Sequence, residues 1–292
     1  SRHRSNSSAS WDIGSGRTSR DLPLLNSRGR LGAAEVEAAA RAEMPDMDLA
    51  FVLQDPQLGT GHALQVAAPE FGDCERVVVT YGDMPLLTSE SLEDLIDAQK
   101  GQSEDDAADS VSLLTALVDD PFGYGRVVRA EDDLFERIVE QKDASETEQM
   151  LNEVNLGVYC FAQGPLMEDL GRLTNDNAQK EYYITDLAGI AAGDGRRVVP
   201  VVLEDAAEAQ GVNDLAQLAD VRWQVQLRIL EGHMANGVRV MDPSTTFIDH
   251  GVTIGTGTAA LPCTLIPGGV GIRAHSEVAR FIHLSGGVGP QV

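Results

Sequence analysis

From Ile248 onward an apolar residue recurs at every sixth position: Ile248, Ile254, Ala260, Ile266, Ile272, Val278 and Leu284. Glycines fall between them, as in "TIGTGT" and "LIPGGVGI". A helix would need a period near 3.6 and an isolated strand a period of 2. A period of six supplies one short strand and one turn per repeat, the pattern of a parallel β-helix. The aliphatics stack along its core, and glycine permits its tight corners. With three hexapeptides to a coil, only about two and a half coils are present, fewer than the roughly three a solenoid needs. Residues 238–292 are therefore expected to form the truncated start of a β-helix, with an open strand edge at its last coil.

Upstream, the pattern is that of an α/β domain with a mostly parallel sheet, expected over residues 32–214. "GAAEVEAAARAEM" reads as a helix, "LAFVLQ" as a strand and "TGHALQVAAPEF" as the next helix. "RVVVTYGDMPLL" is a strand broken at Gly82-Asp83, "SESLEDLIDAQ" a helix and "SLLTALV" a strand. This alternation implies helices covering both faces of a parallel sheet. After about Val118 short strands follow in "GYGRVVR", "LFERIVEQKD" and "VNLGVYCF", an antiparallel extension. "KEYYITDLAGIAAG" reads as a helix and "VVPVVL" as a late strand. A long helix at 215–237, with Leu215, Leu218, Trp223, Val225 and Ile229 as its apolar positions, links this domain to the repeat.

Residues 1–31 follow neither pattern. Serine and arginine dominate, with only Asp12 and Asp21 as acids, and no apolar period runs through them. A disordered tail, a cloning remnant or a frame-shifted stretch accounts for them better than a transit peptide, which would need an amphipathic stripe. The whole chain carries a net charge of −24. Nucleic acid and anionic membranes would be repelled, and a polyanionic small substrate would need a metal ion or a local basic patch. Cys74, Cys160 and Cys263 are odd in number and widely spaced, which suits a reducing cytoplasm rather than a disulfide framework. No apolar run approaches the roughly 18 residues of a membrane helix.

Ligands of α/β sheets bind beyond the carboxyl ends of the strands, and Gln54 and Asp83 both stand there. Between Gln54 and the next helix lies Gly59-Thr60-Gly61. Such a turn brings backbone N–H groups and a helix N-terminus to a phosphate or a polar ring, or else is a plain helix entry capped by Thr60. Asp83, after Gly82, suits a hard cation such as Mg²⁺, or a turn. Asn213 in "AQGVNDLAQL" offers an amide oxygen as a second ligand, or an N-cap.

Taken in order, "VLQDPQLGTGHALQ", "YGDMPLL", "DDPFGYGRVVR", "RIVEQKDAS", "EVNLGVYCF", "NAQKEYYITD", "GVNDLAQL" and "DPSTTFID" resemble the bifunctional N-acetylglucosamine-1-phosphate uridylyltransferase/glucosamine-1-phosphate acetyltransferase family of bacterial envelope synthesis. The resemblance runs from about Gly32 to the end. It implies a Rossmann-like nucleotidyltransferase domain followed by a left-handed β-helix. It also implies transfer of uridylyl from UTP to N-acetylglucosamine 1-phosphate with release of pyrophosphate. Gln54, Gly59 and Thr60 would read the uracil edge, and Tyr81, Gly82 and Asp83 would line the nucleotide. Gly125, Glu140 and Asn155 would contact the sugar, and Asp83 and Asn213 would hold Mg²⁺. A homotrimer through the β-helix follows from the same resemblance and is expected to be weak. The family's Gly-rich triphosphate loop has no counterpart in "WDIGSGRTSRD", and its first parallel strand is likewise not found. Turnover is accordingly expected to be impaired, and a non-catalytic sugar-nucleotide-binding module or an inactive fragment is the competing expectation. No acetyl-CoA site is expected within the chain.

Overall fold

The computed structural model describes residues 33–101, 109–131 and 133–280, together with the backbone of 24–27. The Leu284 repeat position and the glycines near residue 15 lie outside the described residues. The chain divides into two compact units, one of Ser1–Thr80 with Glu90–Glu204, the other of Tyr81–Ser89 with Asp205–Val292. The boundary thus falls at Glu204–Asp205 rather than near residue 214, and a short loop from the middle of the chain joins the second unit.

In the first unit, β1 (Leu24–Ser27) and β2 (Ala50–Leu53) form a parallel pair, Leu24 opposite Ala50 and Ser27 opposite Leu53. Helix α1 (Ala33–Glu43) connects them. No strand was expected before Gly32; Leu24 and Leu25 are too short an apolar run to show a period. A second sheet has six strands: β3 (Arg76–Val79), β4 (Val111–Leu117), β5 (Gly125–Arg129), β6 (Phe135–Val139), β7 (Glu153–Ala162) and β8 (Val198–Val202). The α/β class holds, but the sheet is mixed rather than mostly parallel. Strands β3, β4, β5 and β8 run one way, and β6 and β7 the other. Because β7 lies between β4 on one edge and both β3 and β5 on the other, most neighbours are antiparallel. Only β4 and β8 pair in parallel within this sheet.

The position of β7 explains its composition. Every residue from Val154 to Ala162 is buried, so the strand reads as an unbroken apolar run rather than an alternation. One irregularity matters for the site. Leu113 faces Tyr159 while Thr115 faces Asn155, so β7 bulges between Asn155 and Tyr159. Gly157 takes φ 74 there, a conformation that costs a side-chain-bearing residue strain. The core of the unit packs Leu113, Val127, Ile138, Tyr159 and Phe161 of the sheet against Leu64 of α2 (Thr60–Ala67), Leu166 and Leu170 of α4 (Gln163–Leu170), and Leu187, Ala188 and Ala191 of α5 (Thr185–Gly193). Helix α3 (Ser89–Lys100) buries Leu95 completely.

In the second unit, α6 (Leu215–Ala235) leads into short strands β9 (Arg239–Val240) to β15 (Glu277–Val278). Thr246 faces Thr264, Thr253 faces Gly271 and Ala259 faces Glu277, all in parallel and each three hexapeptides apart. Ile248, Ala260, Ile266 and Val278 are buried, and Ile254 and Ile272 pack partly buried against the same core. Val240 faces Ala260 across a slightly longer step. The extra residues form the turn at Asp242, whose carboxylate accepts from the Ser244 and Thr245 hydroxyls at 2.6 and 2.7 Å.

Candidate functional site

Strand β2 ends at Leu53, and Gln54 turns inward with 6% of its surface exposed. Its Nε2 donates to the Gly59 carbonyl at 2.9 Å and lies 3.0 Å from His62 Nδ1. A carbonyl can only accept, so the amide orientation is fixed: Nε2 faces the chain and His62 Nδ1 is the acceptor tautomer. Among the described residues Gln54 Oε1 receives no hydrogen bond, nor do the Gly59 and Thr60 N–H groups find an acceptor.

The glycines flanking Thr60 are required by the protein's own backbone. Gly59 has φ 106, and a Cβ there would stand 2.5 Å from the Tyr182 carbonyl oxygen. Tyr182 N donates to Leu58 O at 2.8 Å, and Gly61 N donates to Tyr182 O at 2.7 Å. The Thr60 hydroxyl accepts from Ile184 N at 3.1 Å rather than capping α2, whose N-cap is Gly59. This pairing also shortens the helix expected from Lys180. Lys180 takes φ 58, residues 181–183 run beside the glycine turn, and α5 begins only at Thr185.

Three expected sugar contacts come together in the first unit. Gly125 opens β5 directly opposite Asn155 of β7. A Cβ on Gly125 would lie 3.5 Å from Glu140 Oε1, just beyond β6. Asn155 is held by the bulge: its Oδ1 accepts from the Tyr159 hydroxyl at 3.0 Å and from Gly157 N at 3.3 Å. That leaves the Asn155 NH₂ as a donor. Glu140 Oε1 accepts from the Thr185 hydroxyl at 3.1 Å. Burial raises the Glu140 carboxyl above the usual range, the Thr185 hydrogen bond opposes this, and Asp186 and Asp143 add to the rise.

Glu140 also lines a cleft of about 210 Å³ with Asp143, Asp176, Asn177, Tyr183, Thr185 and Asp186. Sequence reasoning assigned no role to Tyr183, Thr185 or Asp186. The signal was present in "YYITD", three hydroxyl-bearing residues and an acid at a helix start, but it read as a helix face. Tyr183 is 8% exposed, and its hydroxyl makes no hydrogen bond of full geometry. Burial, reinforced by Asp143, Glu140 and Glu181, pushes its pKa up to about 12, so it stays a donor at neutral pH.

The remaining expected residues belong to the second unit. Tyr81, Gly82 and Asp83 open the loop that follows β3, and Asp83 O accepts from Val212 N at 2.8 Å. Asn213 comes next in the chain. Helix α6 is capped not by Asn213 but by Asp214, whose side chain accepts from Gln217 N at 2.8 Å. The Asn213 N–H donates to Gln217 Oε1 at 2.6 Å, so its side chain is spared from capping. Asp83 and Asn213 are both exposed, and among the described residues neither side-chain oxygen accepts a hydrogen bond. One free carboxylate and one free amide oxygen form a donor set that fits Mg²⁺, which takes few protein ligands and completes its shell with phosphate and water. Among the described residues no group of three or more acidic, histidine or cysteine side chains is placed to hold a metal ion.

A layered α/β unit with open polar groups beyond its strand ends is the organisation of a nucleotidyltransferase domain, and over residues 30–180 the chain belongs to the MobA-like NTP transferase domain family. Curated relatives carry the resemblance read from the motifs. Bifunctional protein GlmU of Acetivibrio thermocellus is 43% identical over 217 residues, 74% of this chain and 46% of the relative. That of Fervidobacterium nodosum is 42% identical over 237 residues, 81% and 50% of the two chains. That of Pelobacter propionicus is 40% identical over 282 residues, 94% and 59%. The chain spans about half the length of the curated relatives it matches. A crystal structure described as a putative glucose-1-phosphate thymidylyltransferase from Bacillus anthracis in complex with a sucrose aligns with a TM-score of 0.47 at 17% identity, covering 63% of this chain and 70% of that one.

Proposed function

We propose that the chain carries the uridylyltransferase chemistry of this family, joining UTP to N-acetylglucosamine 1-phosphate and releasing pyrophosphate, in the cytoplasm. The observation that carries this reading is the convergence of Gly125 of β5, Asn155 of β7 and Glu140 just beyond β6. Gly125 keeps its backbone bare where a Cβ would crowd Ile138 and Glu140, Glu140 accepts from sugar hydroxyls, and the Asn155 amide donates. Gln54 Oε1 can accept the one imide N–H of uracil, and the Gly59 and Thr60 N–H groups can donate to its carbonyls. Cytosine presents an amine and a ring acceptor instead and would leave these groups mismatched.

The nucleophile is a phosphate oxygen, already anionic, so no general base is needed. The residues act by positioning for in-line attack at the α-phosphorus. Asp83 and Asn213 would hold Mg²⁺, which when bound supplies neutralisation of the developing charge. Three free cysteines, Cys74, Cys160 and Cys263, accord with a reducing compartment. Among the described residues no helix is long and apolar enough to cross a membrane.

The test is UTP-dependent pyrophosphate release with a panel of sugar 1-phosphates. N-acetylglucosamine 1-phosphate should be preferred, and Asp83→Ala should lower the rate by about a hundredfold or more, the scale of losing a principal charge-stabilising group. Calorimetric binding of UDP-N-acetylglucosamine without turnover would instead identify a binding module. Binding of neither UTP nor the product would overturn the site.

A further inference from the structure

The Asp83 loop, residues 81–88, has no helix or strand of its own before α3 begins. It is fixed to the segment that carries Asn213 at two separated points. Near the start of the loop, Asp83 O accepts from Val212 N at 2.8 Å. At its end, the N–H and the hydroxyl of Thr88 both donate to Glu208 Oε2, at 2.9 and 3.0 Å. Segments 83–88 and 208–212 are therefore tied at opposite ends. Between these ties the Leu86 carbonyl accepts from Arg228 Nη1 at 2.7 Å, and Leu86 itself is 1% exposed.

Glu208 is 7% exposed, although a carboxylate is among the costlier groups to bury. The short turn Ala206–Ala209 presents it, and that turn is itself capped by Asp205, which accepts from Ala207 N at 3.0 Å. Packing alone would be served by an aliphatic side chain. What a carboxylate adds is one oxygen able to take two donors from a neighbouring loop.

We infer that Glu208 is a positioning residue: by clamping Thr88 it fixes the Asp83 loop against the Asn213 segment and sets the cation affinity of the Asp83–Asn213 pair. This rests on the metal reading above. With the clamp intact, Asp83 is held from both directions along the loop. Without it, the loop keeps its bonds to Val212 and Arg228 but loses the Glu208 tie at its end, and ordering that end must be repaid out of the binding energy of the ion.

The experiment measures Mn²⁺ binding to the full chain by the electron paramagnetic resonance signal of the free ion, with no nucleotide present. Glu208→Ala should weaken binding by about tenfold, the low end for removing a group that orients a metal ligand. Glu208→Gln should bind like the parent chain, because its amide oxygen can take both Thr88 donors. Thr88→Val keeps the backbone bond and loses the hydroxyl, so it should fall between these two. It also decides the matter if Glu208→Ala fails to fold, as judged by circular dichroism. Asp83→Ala is the reference. If it abolishes binding while folded Glu208→Ala and Thr88→Val both retain parental affinity, the clamp is refuted and the metal reading stands. A Glu208→Gln chain as weak as Glu208→Ala would refute it equally. If Asp83→Ala binds Mn²⁺ as the parent does, the metal reading falls, and the clamp with it.

Discussion

Glu140 shows what a half-buried carboxylate does at this site. Desolvation is the first cause of its raised pKa, and Asp186 is raised for the same reason, with Asp143 adding to both. The sign of the consequence is definite. An acid whose folded pKa exceeds its unfolded one binds more protons in the native state, so stability falls as pH rises from the ordinary carboxylate range through the raised pKa. Glu140→Gln removes that penalty while its amide oxygen still accepts from Thr185. The variant should therefore melt above the parent at pH 7, with the gap closing at pH values below the ordinary carboxylate range. Its affinity for the sugar phosphate should drop by about ten- to a hundredfold, since hydrogen bonds to charged groups contribute roughly 1.5–3 kcal/mol. Melting curves across pH and calorimetry with N-acetylglucosamine 1-phosphate check the two halves; a lower melting point at neutral pH would refute the assigned cause. Glu140 and Asn155 were legible because each stands in a motif of the resemblance. What the sequence does not display is orientation: that Tyr159 and Gly157 occupy Asn155 Oδ1, or that Thr185 reaches Glu140 from 45 residues away.

The elements themselves were largely readable. Strands β2, β4, β5, β6 and β8 and helices α1, α3 and α6 fall where periodicity placed them. Two of the misreadings come from partners distant in sequence. α5 begins late because Tyr182 and Ile184 bond to Leu58, Gly61 and Thr60. β7 was expected in an antiparallel extension, but the sheet was misjudged as mostly parallel because β7, an apolar run like its neighbours, carries no mark that it inserts between β4 and the pair β3 and β5. Helix α4 (Gln163–Leu170) went unread because it follows β7 with no linker. In α6, Leu215, Leu218, Trp223 and Val225 are exposed while Val221 and Leu230 are buried. A helix with apolar residues on several faces does not announce which one packs. The glycine turn offers a test at this scale. Gly59→Ala meets both a positive φ and the Tyr182 carbonyl, whereas Gly72→Ala meets φ 64 with nothing within 4 Å. The second should cost about 1 kcal/mol, the left-handed penalty alone. The first should cost about 1–3 kcal/mol more, because the contact is with backbone that must move. Urea unfolding of the two variants measures the difference, and equal midpoints would mean that the Gly59–Tyr182 approach is relaxed in solution.

At the scale of the whole molecule, two opposing features set how copies of the chain meet. Phe247 and Leu265 face each other across β10 (Thr246–Ile248) and β13 (Thr264–Ile266), each 40% exposed, and so form a small apolar rung on the outside of the repeat. The resemblance implies that trimers form through this part, and we propose that the rung belongs to that contact. Against it stands a net charge of −24 on every copy, which repels at separations up to the Debye length, about 8 Å at physiological ionic strength and about 30 Å at 0.01 M. Two exposed side chains per copy bury little, at most about 1.5–3 kcal/mol for each side chain fully covered. Long-range repulsion between three such copies therefore decides the outcome in dilute buffer. Association should be weak and concentration-dependent, and should strengthen as salt screens the charge. Phe247→Asp removes apolar contact and adds a like charge, so it should hold the chain monomeric under conditions where the parent associates. Sedimentation equilibrium over a dilution series, at low and at physiological ionic strength, measures both effects. A trimer that persists on dilution in low salt, or a Phe247→Asp chain that associates as the parent does, would show that the contact lies elsewhere.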